Sequence, residues 1–78
     1  MVYCNYKSHT DNHVVYVYGG ETSDITGEIR FNIDGSSFDV IKEPENSTVS
    51  TRSLMRLFNK YKKSFSNREF KEKLSYEC

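Results

Sequence analysis

The chain has 78 residues, with 11 Lys/Arg against 11 Asp/Glu and therefore a formal net charge of zero. This length predicts a single small domain, residues 1–78. Its stability should be marginal, because a chain of this size buries only about 60% of the surface that its unfolded form exposes. Zero net charge argues against steering of a partner by total charge. The charge is nevertheless segregated: residues 1–47 carry three Lys/Arg and eight Asp/Glu, whereas residues 48–78 carry eight and three.

Neither a secretion signal nor a membrane span is predicted. Residues 1–7 lack the basic region and apolar run of a signal peptide, and no apolar stretch approaches the roughly 18 residues that a membrane span needs. Cys4 and Cys78 are too few for a disulfide framework, so we expect two free thiols. These features predict a cytoplasmic protein without a membrane partner.

Two strands are predicted in the first part of the chain. Residues 2–6 form a weakly alternating strand candidate, and residues 13–18 are dense in the β-branched and aromatic residues that favour strands. The two faces of this second strand carry different side chains, Val15 and Val17 on one and Val14, Tyr16 and Tyr18 on the other. We expect the tyrosine face to lie on the uncovered side of the sheet.

A β-hairpin is predicted over residues 25–41. Apolar and polar residues alternate from Ile25 to Ile33, which is the period of a half-buried strand. Asp34-Gly35 is typical of a two-residue type I′ turn, in which both central residues have positive φ. Such a turn fixes a register in which Ile33 faces Ser36, Phe31 faces Phe38, Arg30 faces Asp39 and Ile29 faces Val40.

Two helices are predicted after Pro44, which ends the sheet. Residues 50–64 form the first helix, since apolar side chains recur there at steps of three and four. Residues 67–75 form the second, with Ser66 and Glu69 as a capping box and Phe65 and Phe70 as a hydrophobic staple. The predicted fold class is α+β: an antiparallel meander of three to four strands followed by two helices on one face, ββββαα in two layers.

Two binding surfaces are predicted. Interfaces are enriched in Tyr and Arg, so the exposed strand residues Tyr16, Tyr18 and Arg30 are candidates for binding a protein partner. The same tyrosines could instead stack on single-stranded bases. The outer side of the first helix could contact phosphates or be an ordinary solvated face, and it carries Arg52, Arg56, Lys60 and Lys63.

The sequence offers little for catalysis or metal binding. His9, Asp11 and His13 would share one side of an extended segment, with Cys4 near them in sequence. Zinc needs four ligands in a tetrahedral array, and the Asp, Asn and Thr residues of this segment are ordinary turn formers. No nucleophile with a base and an orienting group is recognisable. We therefore predict no catalytic residues, no metal site and no cofactor.

Several motifs support a resemblance. Tyr-Lys-Ser-His at residues 6–9, Val-Tyr-Val-Tyr-Gly-Gly at 15–20, Gly-Glu-Ile-Arg-Phe at 27–31 and Tyr-Lys-Lys at 61–63 make the chain resemble short uncharacterised proteins of low-GC Gram-positive bacteria and their phages. Residues 25–46 also resemble the β-hairpin of a phage-encoded anti-CRISPR family. That family has a strong acidic excess and opens with a helix, and this sequence has neither.

These observations predict a small non-enzymatic cytosolic protein that binds a protein partner or itself. Nucleic-acid binding through the first helix is the alternative. Inhibition of a host or defence protein, as the phage resemblance implies, is a minor one.

Overall fold

The computed structural model of the chain describes residues 1–77, and the thiol expected at Cys78 lies outside them. Five strands form one antiparallel sheet in the order β4-β3-β2-β1-β5, and one helix covers one of its faces. The elements are β1 (Val2–His9), β2 (His13–Gly19), β3 (Gly27–Asn32), β4 (Phe38–Lys42), α1 (Thr51–Ser66) and β5 (Lys73–Tyr76). The α+β class is confirmed, whereas the ββββαα order is wrong because one helix precedes a fifth strand.

The predicted second helix, residues 67–75, is replaced by a helix end and β5. Asn67 N–H donates to the Lys63 carbonyl, and Arg68 adopts φ +58°, the left-handed conformation that ends many helices. Ser66 Oγ donates to the Lys62 and Ile33 carbonyls at 3.1 Å each, so it does not cap a second helix. The capping box and the staple are therefore wrong.

β5 pairs with β1, and this pairing explains why the segment is extended. Leu74 lies opposite Cys4 and Tyr76 opposite Val2. Leu74 is 2% exposed and belongs to the core. A nine-residue helix is marginal in water, whereas a strand here both buries Leu74 and covers the free edge of β1.

Three of the four predicted pairs of the β3–β4 hairpin are confirmed, whereas the pair of Ile33 with Ser36 and the turn type are wrong, because both residues lie in the loop. Phe31 pairs with Phe38, Arg30 with Asp39 and Ile29 with Val40. In the turn, Gly35 has φ +79° and Asp34 does not have positive φ. Gly35 N–H donates to the Asn32 carbonyl, so the connection is a four-residue loop with a single left-handed glycine instead of a type I′ turn.

The core lies between the sheet and α1. Strand side chains from β1, β2, β3 and β5 meet the buried stripe of the helix, Leu54, Leu57, Phe58 and Phe65. Tyr16 and Tyr18 belong to this layer, with 0% and 1% exposure, so their predicted place on the uncovered face is wrong. The Tyr16 ring can be buried because its hydroxyl keeps a hydrogen-bond partner: it donates to the Lys71 carbonyl at 2.7 Å.

Two loops are joined by the buried carboxylate of Asp24. It accepts hydrogen bonds from Ser47 Oγ at 2.6 Å, Thr26 Oγ1 at 2.9 Å and Asn46 N–H at 3.0 Å. These bonds, led by the one from Ser47, hold the pKa of Asp24 below its usual value. The loop after β2 is thereby fixed to the segment that leads into α1.

Candidate functional site

The charged side chains on the solvent-exposed side of α1 are all basic. Between Thr51 and Ser66 the helix carries five basic side chains and no acidic one. All five are exposed. We call these residues the basic helix surface: Arg52, Arg56, Lys60, Lys62 and Lys63.

Local sequence explains how α1 forms and which side it exposes. Ser50 is the N-cap, and its Oγ accepts the Ser53 N–H at 3.1 Å. The apolar stripe faces the sheet, so the residues between its members face solvent. The four basic residues predicted from the sequence are indeed exposed on this side. Lys62 joins them.

Three residues of the basic helix surface are unfavourable for helix stability. Arg52 lies in the first turn, where the helix dipole favours acidic side chains. Arg52–Arg56 and Arg56–Lys60 are like-charge pairs four residues apart, a spacing that destabilises a helix by about 0.2–0.5 kcal/mol per pair. Lys63 lies in the last turn, where the dipole favours a cation. Helix stability therefore does not explain the charges of Arg52, Arg56 and Lys60.

No ion pair within residues 1–77 neutralises this surface. The three ion pairs are Lys7–Glu28, Arg30–Asp39 and Lys42–Glu45, and none includes a residue of α1. Lys60 Nζ donates to the Ser75 carbonyl at 3.2 Å, which leaves its charge uncompensated. No carboxylate of the helix and no ion-pair partner among residues 1–77 would have to be displaced for an anion to contact these cations.

The predicted protein-binding residues do not come together. Tyr16 and Tyr18 point into the core, and burial raises the pKa of both hydroxyls. Arg30 lies on the opposite, uncovered face of the sheet and bonds Asp39 Oδ2 at 3.2 Å. The three side chains therefore share no surface.

The candidate metal ligands are also dispersed. His9 Nδ1 lies 2.6 Å from Tyr6 Oη, and the His9 ring packs against Phe70. Cys4 is buried in the core, and this burial raises the pKa of its thiol to about 12. In the described part of the chain, no group of three or more His, Cys, Asp or Glu side chains is arranged to hold a metal ion.

A groove between β4 and α1 was not predicted from the sequence. It has a volume of about 390 Å³, and its apolar wall consists of Phe38, Met55 and Phe58. Met55 is 53% exposed on the flank of α1 that faces β4. The only sequence signal was an apolar residue outside the buried stripe, since the groove depends on how α1 lies across the sheet.

No protein-family model, no curated protein and no solved structure matches this chain. The helix of the described residues is too short and too polar to cross a membrane.

Proposed function

We propose that this protein is a non-enzymatic nucleic-acid-binding protein that contacts the phosphate backbone through the basic helix surface. The supporting observation is that five exposed cations of α1 have neither an acidic neighbour on the helix nor an ion-pair partner within residues 1–77. Lys and Arg that neutralise phosphates release condensed counterions, and this release drives sequence-independent binding.

Nucleic acid is preferred to the protein partner that composition favours. That interpretation depended on Tyr16 and Tyr18 as exposed residues, and both are buried. A row of like charges on a helix suits a polymer with regularly spaced anions, because several cations can each contact a different phosphate. A protein partner remains a second candidate, supported by the groove beside β4 and not by the tyrosines.

The setting is part of the proposal. We place the protein in the cytoplasm. The resemblance to small proteins of low-GC Gram-positive bacteria and their phages supports an origin in such a bacterium or phage. Action on a host or defence protein would require the second, protein-binding surface.

Salt dependence tests the proposal. Fluorescence anisotropy with a labelled 30-base-pair duplex should give a log–log slope near −0.9 per neutralised phosphate. For three or four contacts, a threefold rise in salt should weaken binding by roughly 20–50-fold. A joint Arg56→Glu and Lys60→Glu variant should lose binding at 150 mM salt while its circular dichroism spectrum stays unchanged.

A matched control has the same change in net charge elsewhere. Lys42→Glu with Lys73→Glu places the reversals on β4 and β5, outside the helix. This control should retain most of the affinity, because local contacts dominate over net charge. Equal loss in both double variants, or binding that is indifferent to salt, would contradict the proposal.

A further inference from the structure

β4 is an edge strand with unpaired backbone groups. Only β3 pairs with it, since the sheet order begins at β4. Asn32 N–H donates to the Ser37 carbonyl, so Asn32 and Ser37 form a hydrogen-bonded pair. Hydrogen-bonded and non-bonded pairs alternate in antiparallel ladders, and the N–H and C=O groups of Phe38 and Val40 therefore point away from β3. They are free to pair with an added strand.

The groove lies directly beside this edge, on the side of the sheet that α1 covers. The Phe38 and Phe58 rings meet edge to face with centroids 5.5 Å apart, and Met55 adds a flexible wall. Val40 is 41% exposed and continues the apolar surface along β4. A strand added to β4 would point alternate side chains toward this groove.

We propose that β4 and the groove form a docking site for an extended, acidic segment of a protein partner. The segment would add to the sheet as a sixth strand at Phe38 and Val40, and would insert an apolar side chain between Phe38 and Met55. Strand addition takes its affinity from main-chain hydrogen bonds and its specificity from pockets for alternate side chains.

The charge around the groove indicates the chemistry of the partner. Lys62 lines the groove, and no carboxylate does. Arg52 and Lys63 lie farther along the outer face of the same helix, with no ion-pair partner among residues 1–77. An Asp or Glu side chain of the docked segment that points toward the groove would lie close to Lys62, so an acidic segment is favoured over a basic one.

A second copy of this chain fits the site less well. A twofold axis at the edge would pair β4 with β4 in antiparallel fashion and place both helices on the same side of the sheet. The two Lys62 flanks would then face each other with like charge. In addition, the register of β4 shifts between Val40 and Lys42, a bulge that limits long edge-to-edge pairing.

The test is selection of a displayed library of random ten-residue peptides on the purified full-length protein. We expect enriched peptides with apolar residues at alternate positions and an excess of Asp and Glu. For a synthetic copy of one such peptide, Val40→Pro should weaken binding at least tenfold, because proline removes the outward N–H that the added strand needs. Hydrogen exchange at the Phe38 and Val40 amides should slow at least tenfold on peptide binding.

A pair of charge variants separates this site from the basic helix surface as a whole. Lys62→Glu should weaken peptide binding at least tenfold, whereas Lys60→Glu, on the flank that touches β5, should change it less than threefold. If no peptide is enriched over the Val40→Pro protein, or if both variants lose binding equally, the proposal is overturned. Protection of Phe38 and Val40 by a single-stranded oligonucleotide, or by dimerisation without peptide, would likewise assign the site to a different occupant. The outcome of the duplex-binding experiment with the Arg56/Lys60 variant does not affect this test, because peptide binding is measured at β4 and Lys62.

Discussion

Single loop residues connect distant segments of this fold in ways that their sequence context does not predict. Asp24 lies in a polar stretch that predicts only a break between strands, yet its carboxylate receives three hydrogen bonds from residues 26, 46 and 47. Asn46 and Ser47 likewise look like ordinary loop residues. Their role could not be predicted because it depends on contacts between segments more than 20 residues apart.

Acid should weaken the Asp24 junction. A carboxyl group with a lowered folded-state pKa stabilises the fold above its unfolded pKa, and this stabilisation is lost as pH falls through the folded value. Asp24→Asn should therefore lower the melting temperature at pH 7 and reduce the loss of stability on acidification below about pH 4. Thermal melts from pH 7 to pH 2 measure this effect. The exposed control Asp39→Asn should leave the melting temperature at pH 7 nearly unchanged, and an equal effect of both substitutions would contradict the assignment.

Gly19 and Gly20 should differ sharply in their tolerance of a methyl group. A Cβ on Gly19 would lie 1.7 Å from the Asp24 carbonyl oxygen, a backbone atom that cannot yield without moving the loop. A Cβ on Gly20 would lie 3.2 Å from the Thr48 carbonyl oxygen, which would have to move by only a few tenths of an ångström. We expect Gly19→Ala to lower the midpoint of urea unfolding far more than Gly20→Ala. Similar midpoints would show that the loop is not held against β2.

Among the helices and strands, the sequence pattern predicted those features that interactions between residues close in sequence determine. Strand alternation gave the hairpin register, and the apolar stripe gave α1 to within two residues at each end. β5 was missed because residues 67–75 carry helix-start signals of their own, whereas their strand conformation depends on the distant edge of β1. The burial of Tyr16 was missed for the same reason, since it depends on which face α1 covers.

Leu74 should be critical to β5 although it lies near the end of the chain. It is 2% exposed in the core, and Leu→Ala substitutions at such sites cost about 2–5 kcal/mol of unfolding free energy. Lys73→Ala, one residue away and exposed, should change this free energy by less than about 0.5 kcal/mol. Urea titrations of the two variants provide the comparison. A small loss for Leu74→Ala would favour the helical interpretation of this segment over the strand.

For the whole molecule, part of the charge segregation in the sequence is retained on the surface, because α1 carries five basic and no acidic side chains. The basic half supplies the uncompensated face of α1, while three ion pairs lie within or beside the strands. The candidate nucleic-acid surface was predicted from the sequence because a helix exposes its polar side wherever it packs. The β4 groove was not, because it exists only where helix and sheet edge meet.

The repulsion within the basic helix surface should be measurable as a cost to stability. Arg56 is flanked by Arg52 and Lys60 at i−4 and i+4, so Arg56→Gln removes two like-charge pairs worth about 0.2–0.5 kcal/mol each. The variant should be more stable than the parent at 10 mM salt, and the difference should shrink at 500 mM salt because of screening. Arg30→Gln, which removes an ion pair with Asp39, should not gain stability. If the stability gain of Arg56→Gln persisted at high salt, it would result from helix propensity and not from the removal of charge repulsion.

The position of β5 beside β1 also affects how the chain is made. Among the strands of this sheet β1 is translated first, but its outer neighbour consists of residues 73–76. Until those residues emerge, the nascent chain holds a sheet whose β1 edge is open and whose Cys4 and Val2 lack their cover. The sheet is therefore completed only after residues 73–76 have been translated. In that interval the growing chain is most exposed to proteases and to wrong strand partners.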